Sequence, residues 1–185
     1  MSLDHAILGF LNYSPLSGYD LKKAFDVSVK HFWPADQSQI YRTLTRLTEN
    51  GWAEMEVVEQ TERPDRKVYH ITEAGRAELL HWLASSAPMP EFRTAPLIQV
   101  FFAAQLSDEE ILTIFKRAAE QLRTTLEGYD EVPARLDEQM ADFRSAREAF
   151  FWNLTLESGN RTVRVRLEWI QDVIARIQNG EVPKK

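Results

Sequence analysis

The sequence of 185 residues contains no cysteine. Disulfide bonds and thiolate metal sites are therefore excluded, and a reducing compartment is compatible with this composition. Long apolar runs are also missing, because the longest one, residues 95–106, is too short to span a bilayer and contains Gln99 and Gln105. The first residues include Asp4 instead of a basic segment followed by an apolar one, so no secretory signal is expected. These absences predict a cytoplasmic protein.

Signatures of catalysis are missing too. The four histidines lie in separate segments without the spacing of metal ligands: His5, His31, His70 and His81. The acidic residues 108–110 are explained by the start of a helix, where carboxylates interact favourably with the helix dipole. The sequence has no phosphate-binding glycine loop, no dinucleotide-binding glycine pattern and no nucleophile elbow. We predict that the protein is not an enzyme and needs no metal or other cofactor.

An excess of positive charge is the third absence. The net charge is −6, and residues 1–87 hold 9 Lys and Arg against 12 Asp and Glu. The remaining residues hold 13 against 16, so each half has a net charge of −3. Binding to nucleic acid needs a local positive surface rather than a positive total. Any such function therefore depends on where individual arginines lie.

One segment divides the chain. Residues 85–90 hold two serines and two prolines, which cannot continue a helix. We therefore predict two domains, residues 1–87 and residues 88–185.

The first domain is predicted to begin with three helices. Ser17 and Asp20 have the spacing of a capping box, and the helix that they open has an apolar face that extends to Phe32. Asp36 is the expected N-cap of the third helix, which ends at Asn50-Gly51.

Two strands and a fourth helix follow. Ala53, Met55 and Val57 alternate with more polar residues, which predicts a half-buried strand, and residues 67–71 form the second strand of a hairpin. Thr72 is expected to cap the fourth helix. Three helices, a β-hairpin wing and a further helix are the order of a winged helix-turn-helix.

The third helix carries the residues that point to DNA. Ile40, Leu44 and Leu47 are predicted to face inward, which leaves hydroxyl, phenol and guanidinium groups on the opposite arc. Such a helix can enter a major groove, while cations of the hairpin contact the DNA backbone. The predicted DNA-binding residues are Ser38, Gln39, Tyr41, Arg42, Thr45 and Arg46 of the helix and Arg63, Arg66 and Lys67 of the wing. Two alternatives stay open: a solvated helix face, and a protein-interaction adaptor that binds no specific DNA.

The second domain is predicted to be all helical. A capping box at Ser107 opens a long helix that ends at Pro133. A second long helix, with apolar positions at Leu136, Met140, Phe143, Phe150 and Leu154, is expected to end at residues 158–160. The last helix carries an apolar stripe with alternating steps of four and three, which suits a helical bundle or a coiled-coil pairing of two chains. The predicted dimerisation residues are Phe101, Val163, Leu167, Ile170, Ile174 and Ile177.

Aromatic residues are dense enough to line a site for a planar ligand. The candidate effector residues are Trp33, Phe101, Arg144, Phe151 and Trp152, in which the arginine would bind a carboxylate. The alternative is that these rings belong to a core or to a dimer interface.

Several motifs of the first domain occur together in one known family. They are Ser17-Gly18-Tyr19-Asp20-Leu21, the run from Ser38 to Leu47, Asn50-Gly51-Trp52, and the run from Tyr69 to Gly75. With them the chain resembles the PadR family of transcription regulators, and its second domain is similar to the longer members with a helical dimerisation domain. The resemblance implies a repressor dimer that binds an inverted-repeat operator in double-stranded DNA. In many members it also implies release by a small aromatic or phenolic effector.

Overall fold

A computed structural model of the protein describes residues 2–59, 65–86, 94–139 and 145–183. Within these ranges the chain forms seven α-helices and three short strands, which confirms the predicted class: a winged helix-turn-helix followed by an all-α region. The chain divides into two compact units, residues 1–87 with 134–145 and residues 88–133 with 146–185. Among the described residues, no helix is both long and apolar enough to cross a membrane.

The first unit contains four helices and a three-stranded antiparallel sheet. The helices are α1 (Ser2–Tyr13), α2 (Gly18–Val27), α3 (Gln37–Glu49) and α4 (Glu73–Ala84), and the strands are β1 (Leu16–Ser17), β2 (Ala53–Val58) and β3 (Arg66–Ile71). The strand order is β1-β3-β2, so β3 lies in the centre. The two-residue strand β1 was not predicted, because a strand this short leaves no alternating pattern.

Local signals set the starts of α2 and α3 as predicted. Ser17 caps α2 in a capping box with Asp20, and Asp36 caps α3 in a second box that Gln39 completes. Gly51 follows α3 with a φ of 71°, a left-handed conformation that glycine adopts without strain. Helix α2, however, ends at Val27, before the predicted Phe32. The Ser28 hydroxyl donates to the Ala24 carbonyl at 2.5 Å, and a single 3₁₀ turn follows.

The core of the first unit lies between the helices. Its fully buried side chains are Ile7, Leu8, Leu21, Phe25, Ile40, Leu44 and Leu47, which include all three residues predicted to face inward from α3. The prediction for β2 was wrong, because Met55 and Val57 are 42% and 49% exposed and only Ala53 is buried. The hairpin register pairs Ala53 with the buried Ile71, so the core covers only this end of β2.

The second unit contains α5 (Ala95–Phe101), most of α6 (Asp108–Gln139) and α7 (Ala146–Gln178). Ser107 and Glu110 form the predicted capping box at the start of α6. The prediction of three long helices was wrong, because α6 continues through Pro133 and α7 continues through residues 158–160. Two apolar positions of the predicted middle helix, Met140 and Phe143, lie outside the described residues.

Gly159 lies inside α7 because another helix approaches it closely. A Cβ at this position would collide with the hydroxyl oxygen of Tyr129 in α6. Glycine therefore makes room for the Tyr129 ring and does not end the helix. Helices α6 and α7 are antiparallel, since Ile111 near the start of α6 and Ile177 near the end of α7 belong to one buried cluster.

The apolar stripe of α7 packs against α6 of the same chain. Ile170 and Ile177 are buried in a cluster with Ile111, Phe115 and Ala119, and the half-buried Leu167 and Ile174 pack against this cluster. Val163 is also half-buried. The stripe predicted for pairing of two chains therefore lies in an intrachain interface, because α6 offers a complementary apolar face.

Candidate nucleic-acid interface

The outer face of α3 carries the polar residues that the sequence predicted there. Ser38, Gln39, Tyr41, Arg42 and Thr45 are all exposed. This exposure follows from the burial of the opposite face, where Ile40, Leu44 and Leu47 are fully buried. The winged helix therefore presents hydroxyl, amide, phenol and guanidinium groups on one rigid helix.

Several of these side chains are oriented by their own helix. The Arg42 Nε donates to the Ser38 carbonyl at 3.3 Å, and the Thr45 hydroxyl donates to the Tyr41 carbonyl at 3.1 Å. The Gln39 amide oxygen accepts from the Asp36 backbone at 2.9 Å as part of the cap. The Arg42 side chain is therefore oriented along its own helix, towards the backbone of Ser38.

Arg46 differs from the other predicted contacts, because its guanidinium is paired inside the unit. Its Nη2 donates to the carboxylate of Asp4 in α1 and, at 3.3 Å, to the Thr43 hydroxyl. The Asp4 side chain is only 5% exposed. Within the described part of the chain, the buried Arg46 Nε has no hydrogen-bond partner. These contacts assign Arg46 to the link between α1 and α3.

Arg66 at the base of the wing is also paired. Its guanidinium donates to Oδ2 of Asp20, and the same oxygen accepts from the Ser17 hydroxyl at 2.5 Å. Burial acts to raise the pKa of the Asp20 carboxyl, but the hydrogen bonds from Ser17 and Arg66 outweigh it, so that the pKa is lowered. Lys67 is exposed beside Arg66, while Arg63 lies outside the described residues.

Sequence reasoning missed Asp4 and Asp20 as partners of these arginines. The paired residues are 42 and 46 positions apart, and a local sequence pattern cannot predict a contact at such a separation. The two pairs tie α1 to α3 and α2 to β3.

The candidate effector residues are distributed over both units. Trp33, in the first unit, is 40% exposed. In the second unit, Phe101 is 80% exposed and packs edge-to-face with Phe102, with the ring centroids 5.0 Å apart. The ring centroids of Phe151 and Phe150 are 5.4 Å apart, and the guanidinium carbon of Arg147 lies 5.3 Å from the Phe151 centroid. Trp152 is half-buried, and Arg144 lies outside the described residues.

A cavity of about 460 Å³ opens between α6 and α7. It is lined by Tyr129, Asp130, Pro133, Leu156, Glu157, Asn160, Arg161 and Arg164. Tyr129, Pro133 and Leu156 supply apolar surface. The charges of Arg161 and Arg164 are balanced by Asp130 and Glu157, and Arg161 forms an ion pair with Glu157. Trp152 is one helical turn before Leu156 and thus on the same face of α7. Among the described residues, no group of histidines and carboxylates could hold a metal ion.

Family profiles match both parts of the chain. The profile of the transcriptional regulator PadR-like family matches residues 7–81, and that of the virulence activator alpha C-terminal region matches residues 92–178. The chain belongs to the PadR-like family of transcriptional regulators. Together the two matches identify it as the longer type of PadR protein, which the motifs of the first domain and the similarity of the second domain predicted.

Individual PadR relatives differ in how much of the chain they match. The negative transcriptional regulator PadR of Bacillus subtilis (strain 168) is 28% identical over 176 residues, which cover 95% of this chain and 97% of that protein. The probable transcriptional regulator Rv1176c of Mycobacterium tuberculosis is 49% identical over 84 residues, but the match covers only 45% of this chain and 44% of that protein.

Solved PadR structures have the same fold. B. subtilis PadR in complex with operator DNA superposes with a TM-score of 0.81 at 28% identity, covering 96% of this chain and 99% of that one. The same protein in complex with p-coumaric acid gives a TM-score of 0.77 at 27% identity, with the same coverage. The Vibrio cholerae virulence activator AphA gives 0.73 at 26% identity and covers 96% of this chain and 98% of that one.

Proposed function

We propose that this PadR protein is a cytoplasmic, homodimeric repressor that binds an operator in double-stranded DNA and releases it when a small aromatic acid binds. Residues 1–87 would bind DNA and residues 88–185 would form the dimer. The observation that carries the proposal is the exposed face of α3, where Ser38, Tyr41 and Arg42 stand on a helix whose opposite face is fully buried. The similarity to B. subtilis PadR, solved with operator DNA, supports it.

Fewer residues are proposed to contact DNA than the sequence predicted. Ser38, Gln39, Tyr41, Arg42 and Thr45 would face the major groove, because they are exposed on one side of α3. Lys67 would contact the DNA backbone from the wing, and Arg63 stays a predicted contact there. Arg46 and Arg66 are assigned to structural ion pairs with Asp4 and Asp20.

The apolar face of α5 is the proposed dimer surface. More than half of the surface is exposed for three residues of α5 and for the residue that follows it: Leu97, Ile98, Phe101 and Phe102. Apolar residues gathered in this way are typical of a surface that another chain covers. A second copy is the proposed occupant, because a dimer places two recognition helices roughly 34 Å apart, the spacing of successive major grooves. Phe101 keeps the dimerisation role that the sequence predicted for it.

The cavity between α6 and α7 is the proposed effector site. Its apolar lining suits an aromatic ring, and a ligand carboxylate would bind Arg164 or take the place of Glu157 beside Arg161. Trp152, from the predicted set, would border it. The structure of B. subtilis PadR with p-coumaric acid supports this class of ligand. Binding would lower operator affinity if the ligand prefers a dimer whose recognition helices no longer match the operator spacing.

The test is selection of bound duplexes from fragmented genomic DNA, followed by titration of the best duplex at several salt concentrations. We expect the logarithm of affinity to fall linearly with the logarithm of salt concentration, with a slope of about −0.9 per neutralised phosphate. We also expect p-coumaric acid, or a related aromatic acid, to release the duplex. A protein-interaction adaptor, the alternative function, would enrich no sequence and would bind duplexes of any sequence equally weakly.

A further inference from the structure

Gly18, the first residue of α2, lies against the side chain of Tyr41 in α3. A Cβ on Gly18 would lie 2.6 Å from Cε1 and from Cζ of the Tyr41 ring and 3.0 Å from its hydroxyl oxygen. The three nearest atoms all belong to this one side chain. The φ of Gly18 is not positive, so its backbone conformation is one that alanine also adopts. The absence of a side chain at Gly18 is therefore explained by the Tyr41 ring.

Tyr69 of the wing is a second neighbour of Tyr41. Burial raises the pKa of the Tyr69 phenol in β3, and the neighbouring Tyr41 raises it further. The strand register places Tyr69 opposite Leu16, two residues before Gly18. The Tyr41 ring thus lies where α2, α3 and β3 meet, and it is still 40% exposed on the proposed DNA-binding face.

We propose that Gly18 is a positioning residue for operator binding: by leaving room for the Tyr41 ring, it sets how far this ring stands out from the recognition helix. The proposal rests on the proposed function, since it concerns the DNA-binding face. A methyl group at Gly18 pushes the ring outward, because the ring is the movable end of its side chain whereas Gly18 is held by the cap of α2. The displaced ring then occupies space that the DNA backbone or a base edge needs.

The cap of α2 does not depend on Gly18 having no side chain. The Ser17 hydroxyl accepts from the Asp20 backbone N–H at 3.2 Å, and the Asp20 carboxylate accepts from Ser17. These contacts involve the residues on either side of Gly18, so Gly18→Ala leaves them in place. Without a collision, alanine would stabilise α2, because its helix propensity exceeds that of glycine. The stability change of Gly18→Ala, compared between the parent and a variant without the Tyr41 ring, therefore reports whether the ring and the new methyl group collide.

The experiment is a double-mutant cycle on the full chain with Gly18→Ala, Tyr41→Ala and the double variant. Gly9→Ala is the matched control, because Gly9 also lies in a helix and a Cβ there would meet nothing within 4 Å. We expect Gly18→Ala to lower the melting temperature by about 2–4 °C and Gly9→Ala not to lower it. In the Tyr41→Ala background, Gly18→Ala should have no destabilising effect, because the ring that it meets is gone.

Operator affinity is the second readout of the same cycle. We expect Gly18→Ala to weaken binding by about tenfold in the parent and by less than about twofold in the Tyr41→Ala background. An equal loss in both backgrounds would overturn the proposal, because the effect would not pass through Tyr41. Parent-like binding by Gly18→Ala would overturn it as well. If the single variant fails to fold, a folded double variant supports the collision and an unfolded one refutes it. If the proposed function itself is wrong, the parent protein selects no duplex, and this result is distinguishable from every outcome of the cycle.

Discussion

The carboxylate of Asp4 in α1 binds the guanidinium of Arg46 in α3. The two residues are 42 positions apart, and the Asp4 side chain is almost completely buried. The pair holds the helix that carries the proposed DNA contacts against the helix that begins the fold. Arg46 is therefore a residue on which the position of α3 depends.

Removal of Asp4 should destabilise the winged helix. We expect Asp4→Ala to lower the free energy of unfolding by roughly 1–3 kcal/mol, less than for a fully buried pair because Arg46 is 37% exposed. Urea denaturation measures the change. Arg42→Ala is the control, since this exposed residue should leave stability within about 0.5 kcal/mol of the parent. Equal stability of Asp4→Ala and the parent would show that the pair contributes nothing.

Arg42 should contribute to DNA binding but not to stability. We expect Arg42→Ala to weaken operator binding strongly while the melting curve stays unchanged. If Arg42 contacts a phosphate, the salt slope should fall by about 0.9, and if it contacts guanine, discrimination at one base pair should be lost. Arg76→Ala removes an exposed arginine of α4 and serves as the control. Parent-like binding by Arg42→Ala would contradict the assignment of α3 as the recognition helix.

Asp20 should make stability depend on pH in the acid range. The pKa of this carboxyl is lowered from its ordinary 3.8 in the folded protein. Its contribution is therefore fully present above pH 3.8 and is lost as pH falls through the lower, folded-state pKa. We expect the melting temperature of the parent to exceed that of Asp20→Asn at neutral pH, and the difference to shrink below about pH 4.

The partners of Asp20 provide the control for this titration. Arg66→Met removes the guanidinium, so the pKa of Asp20 should lie closer to its ordinary value and the acid-range difference should become smaller. A difference between the parent and Asp20→Asn that is constant from pH 7 down to pH 2 would contradict the role of the ionised carboxylate.

Substitution on α5 should separate the dimer from the fold. We expect Phe101→Glu to give a folded monomer in sedimentation velocity, because the ring is 80% exposed and an intermolecular contact is its proposed role. Ile170→Glu, in contrast, should unfold the second unit, since it places a charge in the cluster between α6 and α7. Val165→Glu, at another exposed apolar residue, is the control. A stable Phe101→Glu dimer would exclude α5 from the interface.

Arg161 should affect the effector response alone. Its side chain is 78% exposed at the rim of the cavity, so Arg161→Ala should leave stability and operator binding unchanged. We expect a higher concentration of p-coumaric acid to be needed for release of the duplex, because one cation that can bind the carboxylate is lost. Arg123→Ala, an exposed arginine of α6 that does not line the cavity, is the control. An unchanged release curve would exclude Arg161 from the proposed effector site.

Features that depend on residues three or four positions apart could be predicted from the sequence. The capping boxes at Ser17 and Asp36, the buried face of α3 and the left-handed Gly51 are all of this kind. Each is governed by short-range hydrogen bonding or by helical periodicity, which the chain carries locally. The same signals determined the winged-helix order and thereby the exposed residues of α3.

Only the tertiary structure decided which of these residues are paired and where the long helices end. Arg46 and Arg66 have the same sequence signature as a DNA contact, but Asp4 and Asp20 reach them from 42 and 46 positions away. Gly159 has the signature of a helix end, yet it lies inside α7 because the Tyr129 ring of α6 needs its space. In each case the energy of the local choice is small, so a contact between distant segments determines the outcome.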